Sequence, residues 1–278
     1  MKDRQRGIAL IAVLWVMTLL AAIASAFMIS TRTDIRVAQN LVGQTQARAL
    51  ADAGIHRAIA ALLAQESDKR WMADGRVYSW DFAGGHVDIV IEDEGGKVDL
   101  NAAPIELLAG IFRAVGLAAP KAQALAEAVA DWRDEDELRR PDGAEDAEYR
   151  AAGRAHGTPD RPLEANEVLL NVLGVTPEIY QRVAPWVTVY SRGSGVNPAT
   201  ASRIALAAVP NITEADIDGI MAARNLDPRN ASTALARFQV YARYLSRPTA
   251  NVFTVRAQGR HASGATFVRE AVVRLGAD

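Results

Sequence analysis

The apolar run IALIAVLWVMTLLAAIASAFMI, residues 8–29, decides the fold of this chain. It holds no charged residue, and its only hydroxyl groups are those of Thr18 and Ser25. As an α-helix rising about 1.5 Å per residue it would extend roughly 33 Å, enough to cross a hydrocarbon layer of about 30 Å. The leader before it, MKDRQRG, is mostly basic, which favours the cytoplasmic side. The sequence therefore predicts a single membrane-spanning helix, with the rest of the chain across the membrane.

Three interpretations of this start are open. Small residues from Ala22 to Ala26 fit the cleavage pattern of a secretory signal peptide. The run also fits an uncleaved signal anchor. The third interpretation is a prepilin-type leader, residues 1–7, which a prepilin peptidase cuts between Gly7 and Ile8 so that the run survives as the mature N-terminus.

The segment after the run favours the prepilin-type leader. A helix-compatible pattern continues from Ile29 to about Gln65 without a proline, and its apolar residues recur at i, i+3 and i+4 from Ala47 to Leu62. A signal peptide would instead lead into a mature start with its own turn residues. A long N-terminal helix, half in lipid and half packed on a domain, is typical of pilins and pseudopilins.

Composition excludes several classes of function. The net charge of −2 over 278 residues gives no basic surface for nucleic acid. Because there is no cysteine, disulfides, cysteine-based zinc sites and thiol nucleophiles are excluded. The four histidines are scattered, and no HExxH, GxSxG, P-loop or dinucleotide-binding pattern occurs. We expect a protein that is not an enzyme.

Strand patterns occur at both ends of the soluble part. Alternating residues predict a first hairpin from 76–82 and 86–92, joined by a glycine-containing loop, and a second from 252–258 and 265–275. The residues between, 97–246, are rich in alanine and helical in pattern. The order strand, helical insertion, strand predicts an α+β fold.

The helical insertion repeats itself. Asn101 and Asn197 begin similar segments in which a tight turn joins two short helices, and residues 169–183 form a partial third copy. Such units resemble the helix-hairpin-helix. Thr176 and Thr213 are expected to cap the second helix of their copies.

Helix-hairpin-helix units raise a second hypothesis, a membrane-anchored DNA-binding protein. Hairpins that bind DNA use glycines so that backbone N–H groups approach phosphate, with basic residues alongside. Here the turns lack a Gly-x-Gly sequence, Pro210 removes one donor, and the surroundings are acidic. We interpret these hairpins as packing units and expect no nucleic acid as partner.

The segment DWRDEDE, residues 131–137, and the later GAEDAE, residues 143–148, are dense in carboxylates. Six to eight oxygen ligands at variable angles are what Ca²⁺ requires. Asp134 and Asp136 could point two carboxylates at one ion, and Glu145 and Asp146 could complete its shell. A solvated acidic stretch is the alternative, because the spacing is not that of an EF-hand.

Four segments together resemble one family, the minor pseudopilins of type II secretion known as general secretion pathway protein K. They are RGIALIAVLWV (6–16), VDLNAAP (98–104), ADWRDEDELRRPDGAED (130–146) and LLNVLGVTPEIYQRVAPWVTVY (169–190). The third of these is the most specific, since the leader alone would fit any pseudopilin. The resemblance extends over essentially the whole chain.

The resemblance implies a pilin-like fold with a large inserted all-α domain. We expect a leader (1–7), a transmembrane part of the helix (8–29), the remaining helix with the first strands (30–96), the insertion (97–246) and C-terminal strands (247–278). It also implies calcium in the acidic segment, with Asp134, Asp136, Glu145 and Asp146 as the candidate ligands.

The implied function is non-catalytic. The protein would lie in the bacterial inner membrane with its soluble domain in the periplasm, and would stand at the tip of the pseudopilus to support protein export across the outer membrane. Implied partners are the other minor pseudopilins, the prepilin peptidase and, as a further candidate, secreted cargo. N-methylation of Ile8 after cleavage is also implied.

Ala12 departs from the pilin pattern. Counted from Ile8, pilins carry a glutamate at the fifth position, where this chain has Ala12. That carboxylate is thought to neutralise the terminal amine of the neighbouring subunit within lipid, where an unpaired charge is costly. A subunit without it suits the end of a fibre better than an interior position. One residue alone leaves open that Ala12 is simply an apolar helix residue.

Overall fold

The computed structural model describes residues 3–66, 69–226, 235–245 and 251–276, without the side chains of residues 3–8, 225–226 and 235–237. The helices are α1 (Asp3–Leu62), α2 (Ile105–Ala114), α3 (Ala119–Arg133), α4 (Asp146–Ala151), α5 (Pro177–Val183), α6 (Arg203–Ala207) and α7 (Glu214–Leu226). The strands are β1 (Asp74–Phe82), β2 (Gly85–Asp93), β3 (Val98–Asp99), β4 (Val187–Thr188), β5 (Val252–His261) and β6 (Thr266–Arg274).

Helix α1 confirms the prediction of one continuous helix through the apolar run and beyond it. It is 60 residues long. Met1 and Lys2 of the expected leader lie outside the described residues. The described part contains one helix long and apolar enough to cross a membrane, Ala9–Leu62, and the most apolar window of that helix is fully exposed.

The four long strands form one sheet in the order β1-β2-β5-β6. Both predicted hairpins are therefore confirmed, and the small antiparallel sheet of the expected α+β fold is present. In the second hairpin the His261 N–H donates to the Ala265 carbonyl at 2.9 Å. Residues 94–251, which include the helical insertion, lie in sequence between the two central strands.

The chain divides into two compact units. The first contains Met1–His56, Ser79–Ile89 and Ala257–Arg269, and the second contains Arg57–Tyr78, Val90–Arg256 and Glu270–Asp278. The expected boundary between residues 246 and 247 lies outside the described residues. The division into leader, helix, insertion and terminal strands stays a prediction.

In the first unit, α1 packs on the strands through small residues. Ala47 and Ala51 are fully buried, and a Cβ added to Gly259 would lie 2.4 Å from the Ala47 carbonyl oxygen. A glycine is needed there because helix and strand backbones approach so closely. Between β6 and α1, Arg269 Nε donates to Asp52 Oδ1 at 2.7 Å, and this hydrogen bond lowers the pKa of Asp52.

The second unit has a helical core. The predicted pair α2 and α3 is present, joined by a turn in which Gly116 has φ +90°. The apolar residues Leu108, Ile111 and Phe112 of α2 are fully buried in this core. A CH₂ group moved from water into such a core contributes about 0.8 kcal/mol.

Two helix pairs and one shorter unit stand at the predicted repeats. The second pair is α6 and α7, whereas the third copy begins with a 3₁₀ turn, Asn166–Asn171, before α5. Both predicted caps are confirmed, because Thr176 Oγ1 accepts from the Ile179 N–H and Thr213 Oγ1 from the Asp216 N–H. Assignment of these units as helix-hairpin-helix motifs stays a prediction.

One pairing in the second unit escaped sequence analysis. β3 and β4 form a two-stranded parallel sheet, with Val98 opposite Val187 and Asp99 opposite Thr188. Asp99 is 1 % exposed, and its Oδ2 accepts from Ser191 Oγ at 3.0 Å. Strands of two residues are too short to show an alternating pattern in the sequence. β3 and β4 can be recognised only from their pairing with each other, 89 positions apart.

Gly110 in α2 offers a test of helix packing in this core. A Cβ at this position would lie 1.8 Å from the carbonyl oxygen of Ala208, the residue after α6, so Gly110→Ala would force α2 away from the end of α6. We expect it to lower the free energy of unfolding by about 3 kcal/mol, at the upper end of the usual cost of overpacking. Denaturant unfolding followed by circular dichroism measures this.

Gly43→Ala is the matched control in α1. Its Cβ would meet Ser263 Oγ at 2.5 Å, the end of a side chain that can rotate away, and alanine favours helix over glycine by about 1 kcal/mol. We expect a neutral or stabilising effect. Equal destabilisation by both substitutions would contradict the packing inferred around Gly110.

Candidate functional site

The first candidate site is the exposed apolar part of α1. Its backbone begins before Gly7 and Ile8, so the predicted cleavage site lies in the first turns of the helix. From Leu10 to Ile29 every large apolar side chain is more than half exposed, Trp15 and Phe27 by 73 % and 74 %. A contiguous apolar surface of this size needs a partner or a lipid environment.

Hydroxyl groups in this stretch are satisfied within the helix. Thr18 Oγ1 donates to the Trp15 carbonyl at 2.9 Å, and Ser25 Oγ donates to the Ala21 carbonyl at 2.8 Å. Every polar group in a hydrocarbon layer must find its partner internally, and these two do. The stretch is therefore chemically suited to lipid along its full length.

The second candidate site is the acidic segment at the end of α3. The Asp131 carboxylate is fully buried, and its Oδ1 accepts from Arg140 Nη1 at 2.5 Å. The same Arg140 nitrogen lies 2.5 Å from Asp134 Oδ2. A Cβ on Gly143 would fall 2.0 Å from Asp131 Oδ2, so only glycine lets the loop close over this carboxylate.

Two further carboxylates come from later in the chain. Glu145 is 5 % exposed, and its Oε2 accepts from Thr158 Oγ1 at 2.8 Å. Asp160 follows on the same loop with φ +49°, a backbone conformation that aspartate tolerates better than most residues. Asp134 Oδ1, Glu145 Oε1 and Asp160 Oδ1 are all buried, and none has a hydrogen-bond partner among the described residues.

These carboxylates influence one another electrostatically. Burial raises the pKa of Glu145, and the charges of Asp131, Asp134 and Asp160 raise this pKa further. Burial also raises the pKa of Asp131, against the opposing effect of Arg140. Carboxylates that repel one another in a buried place are stabilised by a cation.

The four ligands expected from the sequence separate into two pairs. Asp134 and Glu145 belong to the buried group, and each contributes an unpartnered oxygen. Asp136 is exposed and accepts from the Leu138 N–H at 2.9 Å. Asp146 is 46 % exposed and forms an ion pair with Arg150.

Asp131 and Asp160 were not singled out as ligands from the sequence. Asp131 stands in the quoted acidic segment, but its helical position gave no sign that it would be buried. Asp160 lies fourteen residues beyond Asp146, in a stretch of ordinary loop composition. As they stand, no three His, Asp or Glu side chains in the described part of the chain lie close enough together to hold a metal ion. The unpartnered oxygens nonetheless fit the ligand chemistry of calcium.

A long N-terminal helix, apolar in its first part and packed on a small antiparallel sheet through one face from Gly43 onward, with a helical insertion between the strands in sequence, defines a pilin-like protein. Residues 89–192 match the family model described as type II secretion system protein K. The resemblance to that family seen in the sequence is thereby confirmed.

Similar proteins agree with this match. Type II secretion system protein K of Klebsiella pneumoniae is 27 % identical over 209 residues, covering 67 % of this chain and 63 % of that protein. The protein of the same name from Pseudomonas aeruginosa is 26 % identical over 248 residues, covering 81 % and 74 %. The chain thus spans 63 % and 74 % of the length of these two relatives, less than two thirds for the first.

Among solved structures, the crystal structure of the GspK-GspI-GspJ complex from enterotoxigenic Escherichia coli contains a chain of similar fold. The TM-score is 0.55 at 20 % sequence identity, covering 89 % of this chain and 95 % of that one. At this identity the likeness establishes the fold.

Proposed function

We propose that this protein is a minor pseudopilin at the tip of a type II secretion pseudopilus, and that it supports assembly of that fibre and protein export. The observation that carries the proposal is α1, one helix whose apolar stretch up to Ile29 is exposed, while one face of its later part, from Gly43 onward, is buried. The first half would lie in the bacterial inner membrane, with the soluble part in the periplasm.

Processing between Gly7 and Ile8 by a prepilin peptidase is part of the proposal. Cleavage there would remove the basic leader and leave Ile8 as a new N-terminus that N-methylation could then modify. The apolar run would begin at the first residue of the mature protein. No charge would then precede it except the terminal amine.

Ala12 supports a place at the end of the fibre. It lies in the exposed apolar half of α1, at the position where pilins carry glutamate. Without a carboxylate there, the subunit cannot neutralise the terminal amine of a neighbour in an apolar environment. Such a subunit fits the tip, where no further subunit has to be accommodated above it.

The proposed partners are other minor pseudopilins. The solved chain of similar fold is part of a GspK-GspI-GspJ complex. By analogy, this chain would assemble with two such subunits, and secreted cargo is a further candidate partner. We infer a non-catalytic role, since the sequence holds no recognised catalytic pattern.

The intact mass and N-terminal sequence of the protein from membranes of cells with a prepilin peptidase test this proposal. A start at Ile8 supports it, and the mass excess of one methyl group would show N-methylation. A start near Phe27 would mean an ordinary signal peptide. An intact Met1 would mean a simple membrane anchor and would return the DNA-binding hypothesis to consideration.

We propose calcium as the ligand of the acidic site, held by Asp134, Glu145 and Asp160, with Asp131 adjacent. What supports calcium is the three buried carboxylate oxygens without partners. When bound, the ion would neutralise these charges and join the end of α3 to the loop that carries Asp160. Arg140, now paired with Asp131 and Asp134, would have to give up part of its contact with Asp134.

Calcium is expected to stabilise the protein. At one hundred times its Kd the ion would raise the free energy of unfolding by about 2.7 kcal/mol. Thermal unfolding in Ca²⁺ and in EGTA measures the difference. Glu145→Gln is expected to remove most of it, whereas the matched control Asp136→Asn, at an exposed carboxylate, is expected to leave it unchanged. Loss of the effect only in Asp136→Asn would contradict the proposed ligand set.

The pH dependence provides a separate check. Because the folded-state pKa values of Asp131 and Glu145 are raised, these groups destabilise the calcium-free protein at neutral pH. The loss of stability that these two carboxylates cause becomes smaller as the pH falls through their folded-state pKa values. In that range the folded protein binds protons more tightly than the unfolded chain does. The wild type should therefore gain stability relative to Glu145→Gln on mild acidification in EGTA, and calcium should abolish that gain.

A further inference from the structure

A cleft of about 520 Å³ lies within the second unit, away from the acidic site. One wall is formed by the ends of β2, β5 and β6, and the other by the segment 166–190. On β2 the lining residues Val90 and Glu92 alternate with the fully buried Ile89 and Ile91, so they lie on the opposite face of the strand. Neither the calcium proposal nor the membrane helix uses this cleft.

Aromatic rings line the side of the cleft contributed by the helical segment. They belong to Tyr180, Trp186 and Tyr190, and all three are partly exposed. Among the described residues, none of these rings stacks on another ring or lies under a guanidinium group. Tyr180 and Trp186 also pack partly on the apolar core of this unit, so only the exposed part of each ring is open to something that enters the cleft.

The charged residues that line the cleft are not balanced. Glu92, Glu94, Glu167 and Glu270 provide four carboxylates, and Lys97 and Arg256 provide two cations. Lys97 already forms ion pairs with two of these carboxylates, since its Nζ lies 3.0 Å from Glu92 and 2.7 Å from Glu94. The lining as a whole carries two negative charges in excess.

The Glu270 carboxylate on β6 forms no ion pair with the described residues. From the hydrogen bonds of the β5–β6 hairpin, Arg256 stands directly across from Glu270. Even so, no cationic atom of the described residues lies within 4.0 Å of the Glu270 carboxylate. Glu167, on the other wall, is near the Tyr180 hydroxyl rather than a cation.

An unused acceptor completes the lining. Asn166 Nδ2 donates to the Val187 carbonyl at 3.1 Å, while its Oδ1 is buried and accepts no hydrogen bond among the described residues. Because this oxygen is buried, a donor in the cleft could reach it only if the Asn166 amide turned toward the cleft that the residue lines. Aromatic faces, excess carboxylates and a free acceptor are what a planar, positively charged donor requires.

We propose that this cleft binds the guanidinium group of an arginine side chain on a partner polypeptide. Arginine can stack on an aromatic face while its N–H groups donate to carboxylates in the same plane, whereas lysine presents a compact, strongly hydrated charge. Trp186 would supply the stacking face, and Glu270 and Glu167 the acceptors. The inference does not depend on the proposed pseudopilin function.

The test is saturation-transfer NMR on the full chain in a non-ionic detergent. The probes are the blocked peptide acetyl-Gly-Arg-Gly-amide and its citrulline counterpart, which has the same shape without the charge. We expect citrulline to bind about tenfold more weakly, the equivalent of 1.4 kcal/mol for one lost charge interaction. Binding of the arginine peptide should weaken as salt is added, because these groups are partly exposed.

Variants locate the binding. Glu270→Gln and Trp186→Leu should each weaken the arginine peptide by about fivefold. Glu164→Gln, an exposed carboxylate three residues before Glu167 that does not line the cleft, is the matched control and should have no effect. Because Glu270 is an exposed strand residue, we expect Glu270→Gln to fold. It therefore tests the proposal even if Trp186→Leu does not fold.

Three results would overturn the inference. The first is equal binding of the arginine and citrulline peptides. The second is equal or tighter binding of the corresponding lysine peptide, which would mean a general cation site. The third is unchanged affinity in the folded Glu270→Gln variant. The outcome is independent of the N-terminal mass measurement, so either proposal can fail alone.

Discussion

Replacing Gly7 with valine is expected to leave the leader on the protein and to abolish its assembly. A peptidase has to hold the backbone on both sides of the bond between Gly7 and Ile8, and a glycine lets another backbone approach closely. A β-branched side chain at this position would block that approach. Mass spectrometry of membrane-purified protein should show the unprocessed chain only.

The physical cost of an attached leader explains the loss of assembly. Lys2, Arg4 and Arg6 would have to follow α1 out of the membrane when the subunit is extracted into a fibre. A basic side chain at the centre of a bilayer costs about 3 kcal/mol. Three such charges would hold the unprocessed subunit in the membrane.

Gln5→Val is the matched control for Gly7→Val. It places the same side chain in the same leader two residues earlier and keeps the glycine at the cleavage site. We expect it to be processed. Recovery of Gly7→Val with Ile8 as its N-terminus would contradict the prepilin interpretation. Loss of processing in Gln5→Val alone would contradict it as well.

Replacing Glu94 with alanine is expected to lower the free energy of unfolding by about 3 kcal/mol. Glu94 is 2 % exposed, and its carboxylate accepts from Lys97 Nζ at 2.7 Å, from Thr254 Oγ1 at 2.7 Å and from Thr188 Oγ1. It joins β5 and β4 to the turn after β2. Its removal would leave a largely buried ammonium group and two hydroxyl groups with lost partners.

The measurement is denaturant unfolding of the full chain in detergent. Glu92→Ala is the matched control, since Glu92 contacts the same Lys97 but its side chain is 49 % exposed. Exposed ion pairs contribute about 0.5 kcal/mol, so we expect a small effect there. Glu94→Gln should be intermediate, because the amide oxygen still accepts from a threonine. Equal losses for Glu94→Ala and Glu92→Ala would refute the central role of Glu94.

Sequence analysis was most reliable where the signal is local. The helix over the apolar run, the two hairpins and the caps at Thr176 and Thr213 each depend on residues within a few positions of one another. Hydrophobic spacing, turn residues and capping hydroxyls act over that range. For this reason α1 and all four long strands were predicted, most of them to within two residues.

The proposed calcium site was only partly predictable from the sequence. The dense acidic segment indicated Asp134, Asp136, Glu145 and Asp146 alike, and the structure shows that Asp136 is exposed and that Asp146 pairs with Arg150. Burial decides which carboxylates lack partners, and burial depends on what packs over them. Asp131 and Asp160 were therefore identified only in the folded chain.

The amino-acid sequence by itself determined the long N-terminal helix, the two hairpins at either end of the helical insertion and the family that the chain resembles. Only the tertiary structure decided that Glu94 meets a threonine 160 residues away, that β3 pairs with β4, and that aromatic and acidic residues from distant segments line one cleft. The reason is physical, because periodicity records which face of an element is buried, whereas the partner across that face is chosen by packing of the whole chain.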